Sequence, residues 1–316
     1  MINEIDDLFN GNLDNKMGFL NEQTKANTDG IYRVDLSKAK DKKKGYRSVI
    51  RFLPNLTKDG KVSESALEKI SHYVDIKQMK ELSGYFDSPK NFGEKCELSN
   101  LYYQLMNSKN AILQERAKML KYSRKYYSYV LVLEDEQQPD LVGKIMIFQY
   151  GITIKDKIQA EKNGDITGNP TNVFDLANGK DFVLMVKEIS TGEETYPDYK
   201  MSTFKPETSS IQIFSKEKGF KHAPVSDGKI DPKAHGIIKE FLLNRENELE
   251  DFGAKKLDEG QQNKITEIIN FMTGKSSSSF TREESKPSSD DFDFEESVTG
   301  ESKSKSDKND DDFFDF

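Results

Sequence analysis

Between Lys118 and Tyr129 the chain alternates cations with phenols: Lys118, Lys121, Arg124 and Lys125 are interleaved with Tyr122, Tyr126, Tyr127 and Tyr129. Cationic side chains neutralise phosphates, and aromatic rings stack on unpaired bases of any identity, so this mixture has the chemistry to hold a single nucleic-acid strand. Side chains on a strand alternate between faces, so half of these residues must point inward. A second cationic set, Lys38, Lys40, Lys42, Lys43, Lys44 and Arg47, falls on a turn between two apolar runs, with Arg51 just beyond it. Alone, a lysine-rich turn is more often a solvated loop than a binding element. A third set, Tyr196, Tyr199, Lys200 and Phe204, surrounds Pro197 in a polar loop, where rings either stack on a ligand or pack the loop down.

Catalytic chemistry finds less material. Thr273-Gly274-Lys275-Ser276 copies the end of a phosphate-binding loop, but Ile269 stands where that loop needs glycine. His72, His222 and His235 have no serine or cysteine in a recognisable nucleophile setting. Asp290-Asp291-Phe292-Asp293 lacks the glycine and the closing glutamate of a calcium loop. Cys96 is the sole cysteine, which excludes an internal disulfide and, with three histidines, leaves little for a metal site. The expectation is a protein with no cofactor and no enzymatic activity. A metal-dependent nuclease, with acids clustered at a basic groove, stays open on sequence alone.

The elements that must position these residues are mainly strands. Ile31–Leu36, Arg47–Leu53, Tyr126–Leu133, Lys144–Tyr150, Phe182–Ile189 and Ile211–Phe214 are dense in β-branched or aromatic residues and bounded by turn formers. Six short strands predict a barrel or sandwich over residues 31–235. Leu67, Ile70 and Val74, then Leu101, Leu105, Ile112 and Leu113, recur at helical spacing and predict a helical insertion at about 63–121. Ile237–Leu249 and Ile265–Met272 predict two closing helices within 236–274, ended by Gly274. Residues 1–30 read as a polar arm with one short amphipathic turn around Ile5, Leu8 and Phe9. Residues 275–316 have too little apolar surface to offset chain entropy and read as a disordered tail. Its Asp311-Asp312-Phe313-Phe314 resembles the arm's Ile5-Asp6-Asp7-Leu8-Phe9.

Net charge is -8, but its placement matters more than its sum. The tail holds six basic and thirteen acidic residues, whereas residues 31–160 hold 24 basic and 16 acidic ones. A cationic surface on the body is therefore compatible with a phosphate-rich partner. The tail's Asp311, Asp312, Phe313, Phe314 and Phe316 place charge and aromatic anchors at a free end, which suits contact with partner proteins. No run approaches a membrane span and the N-terminus has no signal-peptide layout, so a cytoplasmic protein without membrane contact is expected.

Ser48-Val49-Ile50-Arg51-Phe52-Leu53-Pro54, then Tyr126-Tyr127 leading into Val130-Leu131-Val132-Leu133, Gly143-Lys144 to Tyr150-Gly151, and Asp156-Lys157-Ile158 follow one another in an order that resembles the single-stranded-DNA-binding proteins of T-even phages. The resemblance continues through Phe182-Val183-Leu184 and Tyr196 to the acidic tail. It implies a mainly β fold, an OB-fold barrel core with a helical insertion, whose groove binds single-stranded DNA during replication, recombination and repair. It also implies contact by Arg51, Tyr126, Tyr127, Phe148, Tyr150 and Tyr196. With the residues read directly, the expected DNA-binding set is Lys42, Lys43, Lys44, Arg47, Arg51, Lys121, Tyr122, Arg124, Lys125, Tyr126, Tyr127, Phe148, Tyr150, Tyr196, Tyr199 and Lys200. The resemblance further implies replication and recombination proteins as partners of the tail, and self-association on DNA, although the arm that carries this in the family is basic and Glu4, Asp6 and Asp7 make this one acidic. The family's structural zinc needs one His and three Cys; here only His72 and Cys96 remain, with Tyr85 and Ser99 near the other two places, so no metal is expected. A replication scaffold whose DNA contact is incidental is the competing class.

Overall fold

The computed structural model describes Phe9 and residues 30–36, 45–166, 168–191 and 194–274, apart from the side chains of Lys121, Thr191, Glu194 and Thr195. Fifteen strands occur among them: β1 Ile31–Tyr32, β2 Tyr46–Leu53, β3 Asn55–Leu56, β4 Val62–Ser63, β5 Leu67–Val74, β6 Gly84–Asp87, β7 Leu120–Asp135, β8 Ile145–Tyr150, β9 Asp181–Thr191, β10 Glu194–Asp198, β11 Thr203–Phe204, β12 Gln212–Ser215, β13 Gly219–His222, β14 Val225–Ser226 and β15 Lys229–Ile230. The α-helices described are α1 Glu97–Met106, α2 Ala111–Ala117, α3 Ile152–Asn163, α4 His235–Leu243 and α5 Glu259–Thr273. The remaining expectations, namely the arm other than Phe9 and Gly30, the basic turn with Lys42, Lys43 and Lys44, and the tail with Asp311, Asp312, Phe313, Phe314 and Phe316, lie outside the described residues.

One nine-stranded sheet forms the frame, paired in the order β1-β8-β7-β2-β9-β10, with β11 beside β9 and the β5–β6 hairpin attached to β7. Among the described residues this order does not close on itself. The 16 residues of β7 are long enough to pair with three strands. β5 runs antiparallel along Leu120–Tyr127 and β2 along Tyr129–Asp135, while β8 takes the opposite edge along Tyr126–Leu131. Alternate β7 side chains feed separate apolar clusters: Tyr127, Tyr129, Leu131 and Leu133 enter one, and Tyr126, Val130 and Val132 enter the other. That is the period-two pattern of a strand covered on both faces.

The sheet-rich reading of the sequence holds, with local corrections. Residues 63–96 hold no α-helix, only the short 3-10 turns Lys80–Leu82 and Pro89–Phe92, because Leu67–Val74 pairs along β7 as β5 and folds back into β6. Ile70, His72 and Val74 all point inward, so counting His72 as polar conceals a strand's alternation. The strand expected over Ile31–Leu36 shrinks to Ile31–Tyr32, parallel to β8. The helix expected over Ile237–Leu249 stops at Leu243, and Leu249 starts a separate 3-10 turn, Leu249–Phe252. α1 and α2 form as the spacing predicts. α5 begins with a capping box between Asp258 and Gln261 and ends at Gly274, whose φ of 71° is one that glycine adopts readily. Ile265, Ile268 and Met272 of α5 pack with Leu98, Leu101 and Leu105 of α1, so the last helix closes the insertion's own core.

Candidate nucleic-acid interface

The first half of β7 carries the expected cations and rings, and the register sets their company. Cross-strand neighbours share a face, so Tyr122, Arg124 and Tyr126 stand with His72, Ile70 and Glu68 of β5. Arg124 Nε lies 3.2 Å from Glu68 Oε1, and its Nη2 donates to the Tyr122 hydroxyl at 3.2 Å. Tyr126 donates to the same Glu68 oxygen at 3.3 Å. From the insertion, Lys90 Nζ lies 5.7 Å from the Tyr103 ring centre and 5.8 Å from that of Tyr122, a cation shared by two ring faces. Tyr102 meets Tyr103 edge-on at 5.3 Å.

Exposure falls along this strip. Tyr103 is 46% exposed and the Arg124 side chain 44%, while Tyr126 is 2% exposed. Beyond it, Tyr126 stacks on Tyr150 at 5.8 Å and Tyr150 on Phe148 at 5.7 Å, both fully inside the second apolar cluster. Aromatic rings thus run from an exposed end at Tyr103 to a closed end at Tyr150 and Phe148. Burial raises the Tyr122 phenol, partly countered by the Arg124 charge, and burial pushes Tyr126 up to about 12 with help from Glu68. Both stay neutral near pH 7 and add no charge that would repel phosphate. Burial works against the Arg124 cation, but Tyr122 and Glu68 outweigh it and hold the group above its ordinary range.

The other expected residues divide. Tyr199 packs against the same cluster as Tyr126 and Tyr150, and its neighbour Lys200 is exposed, its carbonyl accepting from Lys157 of α3 at 3.2 Å. Tyr196 is half-buried on β10 opposite Ile189. Lys125 lies on the reverse face of β7, opposite Lys69 of β5. Tyr127 also faces away, into the first cluster and against Phe252 at 5.7 Å. Arg47 pairs with Glu134 at 3.0 Å, ten residues along β7 from Arg124, or about 33 Å of extended strand. The fold does not bring it to the strip.

Arg51 is a correction. It is 1% exposed and ties β2 to its surroundings, its Nη2 donating to the carbonyls of Asp175 at 2.8 Å and Ser209 at 2.9 Å while Nη1 meets Asp181 at 3.4 Å. A Cβ at Gly179 would lie 2.4 Å from that Nη2, so glycine is what lets the guanidinium in. Burial lowers the Arg51 pKa to about 10, which still leaves it charged and fully engaged inside the fold. Phe148 and Tyr150 are likewise core residues, 2% and 4% exposed. Sequence reading missed Lys90, Tyr103 and Glu68. Adjacent tyrosines at 102 and 103 were the available signal, since two neighbouring ring positions on one helix cannot both face its core.

The residues at the place of the family's zinc do not fit a metal. His72 Nε2 is already 3.0 Å from Ser99 Oγ and 3.6 Å from Cys96 Sγ, and a serine hydroxyl is a poor zinc ligand. Tyr85 lies against Tyr73 at 4.7 Å with 72% exposure, and no group of three or more His, Cys, Asp or Glu suited to a metal occurs among the described residues. No helix among them is long and apolar enough to cross a membrane. No curated protein matches the chain. A family model described as gp32 DNA binding protein like matches residues 44–231, more than half of the sequence.

Proposed function

Because the chain belongs to the gp32-like family of DNA-binding proteins, we propose that it coats single-stranded DNA, stacking bases on Tyr103 and Tyr122 and meeting phosphates with Lys90 and Arg124. The supporting observation is the strip itself, in which two cations, the exposed Tyr103 ring and the half-buried Tyr122 ring stand together beside buried ones. On this reading the sheet is an OB-type core, and the strand continues past Tyr126 toward Tyr199 and Lys200. Arg124 exchanges Glu68 for phosphate when DNA arrives. The protein serves replication, recombination and repair in an infected bacterial cytoplasm and performs no catalysis.

The acidic tail supplies the partner contacts. Its carboxylates compete with phosphates for the cationic surface, and Phe313, Phe314 and Phe316 engage replication proteins when DNA displaces the tail. Titration of tyrosine fluorescence with oligothymidylate and with duplex DNA, each at two salt concentrations, tests the central reading. Quenching by the single strand, weakened by salt and absent with duplex, is expected. Equal response to both DNAs would leave a scaffold with incidental contact, and strand cleavage on adding magnesium would make the protein a nuclease. Truncation after Gly274 should tighten DNA binding at low salt and abolish recovery of replication proteins.

A further inference from the structure

Phe9 stands apart in sequence from the rest of the described body, yet it is 2% exposed and belongs to the first apolar cluster. Its ring lies flat on His235, at the start of α4, with centres 3.9 Å apart and planes 8° from parallel. Immediately after His235, α4 turns Ile237, 60% exposed, and half-buried Phe241 toward an open groove of about 810 Å³ that Ile213 of β12 also lines. The body therefore has a seat for an aromatic side chain and, among the described residues, open apolar surface beside it.

What sits there has a recognisable sequence. Asp6-Asp7-Leu8 precede Phe9, and paired acids followed by phenylalanine occur twice beyond α5, in Asp290-Asp291-Phe292 and in Asp311-Asp312-Phe313-Phe314, of which only the second puts a phenylalanine, Phe314, two positions after the acid pair as in the arm. Thirty-nine residues separate Gly274 from Phe313 and can span at most about 130 Å, so the segment is long enough to reach the seat. We propose that the Phe9 seat is a receptor for acidic-aromatic segments of this chain, and that Asp311-Asp312-Phe313-Phe314 competes with the arm for it. Lys233 and Lys239 are offset by Asp231 and Glu240 along the same stretch, so the rings carry the affinity. A second phenylalanine, which the arm does not have, fills the groove along Ile237 and Phe241. The tail then has an anchorage on its own body that involves no DNA contact, and its docking sets the arm free.

A labelled peptide of residues 308–316, titrated by fluorescence anisotropy into two full-length proteins, tests this without DNA. In the first protein Phe292, Phe294, Phe313, Phe314 and Phe316 are alanine, which removes the tail's own claimants; the second adds Phe9→Ala. The peptide should bind the second at least about tenfold more tightly, and His235→Ala in that protein should reverse the gain. Equal binding to both, or a gain indifferent to His235→Ala, overturns the proposal. Should Phe9→Ala unfold the body, the wild-type chain gives the answer by hydrogen exchange. Excess peptide should speed exchange around Phe9 while α4 stays protected, and unchanged exchange around Phe9 counts against the proposal.

Discussion

Arg51 and Arg124 lie on neighbouring strands of one sheet, and each pairs with a carboxylate, yet their surroundings give them different work. The Arg51 side chain is 2% exposed and its partner Asp181 10%; the Arg124 side chain is 44% exposed and its partner Glu68 25%. A desolvated guanidinium cannot release its partners without leaving a charge in a low-dielectric interior, whereas a half-solvated one can trade a carboxylate for a phosphate at little cost. On the proposed function, exposure more than residue type or pairing separates a structural arginine from one available to phosphate.

The contrast is most sharply tested by removing each guanidinium. Arg51→Ala should cost about 3–5 kcal/mol of stability in urea unfolding, because the Ser209 carbonyl loses its Arg51 donor, Asp181 is left with Lys205 alone and a void opens beside Gly179. Arg124→Ala should cost less than about 1 kcal/mol of stability but flatten the salt dependence of DNA binding by about 0.7 log units. If both variants lost stability equally, the comparison would fail.

A smaller effect divides the rings. Tyr122→Ala should weaken single-strand affinity by about 1–3 kcal/mol with the fold intact, while Tyr126→Ala should act chiefly on stability by opening a cavity under Tyr150. Equal loss of affinity in two stable proteins would place Tyr126 in direct contact with DNA. Glu68→Gln should then raise affinity at low salt, since phosphate no longer competes with a carboxylate for Arg124; an unchanged affinity would show that the ion pair is not exchanged.

A separate pH-dependent effect lies behind the strip, where burial pushes the Cys96 thiol up but hydrogen bonds with His72, Ser88 and Ser99 outweigh it and bring it to about 6. A depressed folded-state pKa stabilises the fold above the thiol's ordinary value near 9, and that contribution is lost as pH falls to about 6. Relative to Cys96→Ser, the wild-type urea midpoint should therefore rise between pH 6 and pH 9. A constant difference would show that the thiol stays protonated.

Sequence made the β7 part of the site legible because its chemistry is local: cations and phenols alternate within one strand, and only their inward or outward sense was missing. The register resolves that sense, sending Tyr126 and Tyr127 to opposite clusters. Lys90 and Tyr103 were hidden because they reach Tyr122 only through the packing of the insertion. Glu68 was hidden by the helical reading of β5. Arg51 misled for a related reason, since its partners Asp175, Asp181 and Ser209 lie more than a hundred residues away and nothing near Arg51 in sequence announces them.

α5 adds Ile265, Ile268 and Met272 to a cluster otherwise drawn from residues 74–120. A chain leaves the ribosome N-terminus first, so all nine strands of the main sheet have emerged before the insertion receives its last wall. Long-range contacts of this kind also form late in folding, after the closure entropy of the intervening chain has been met. Tyr103, carried on α1, is consequently the last part of the strip to be held in place, whereas Lys90 is already tied to β5 through Ser88 and Asn91.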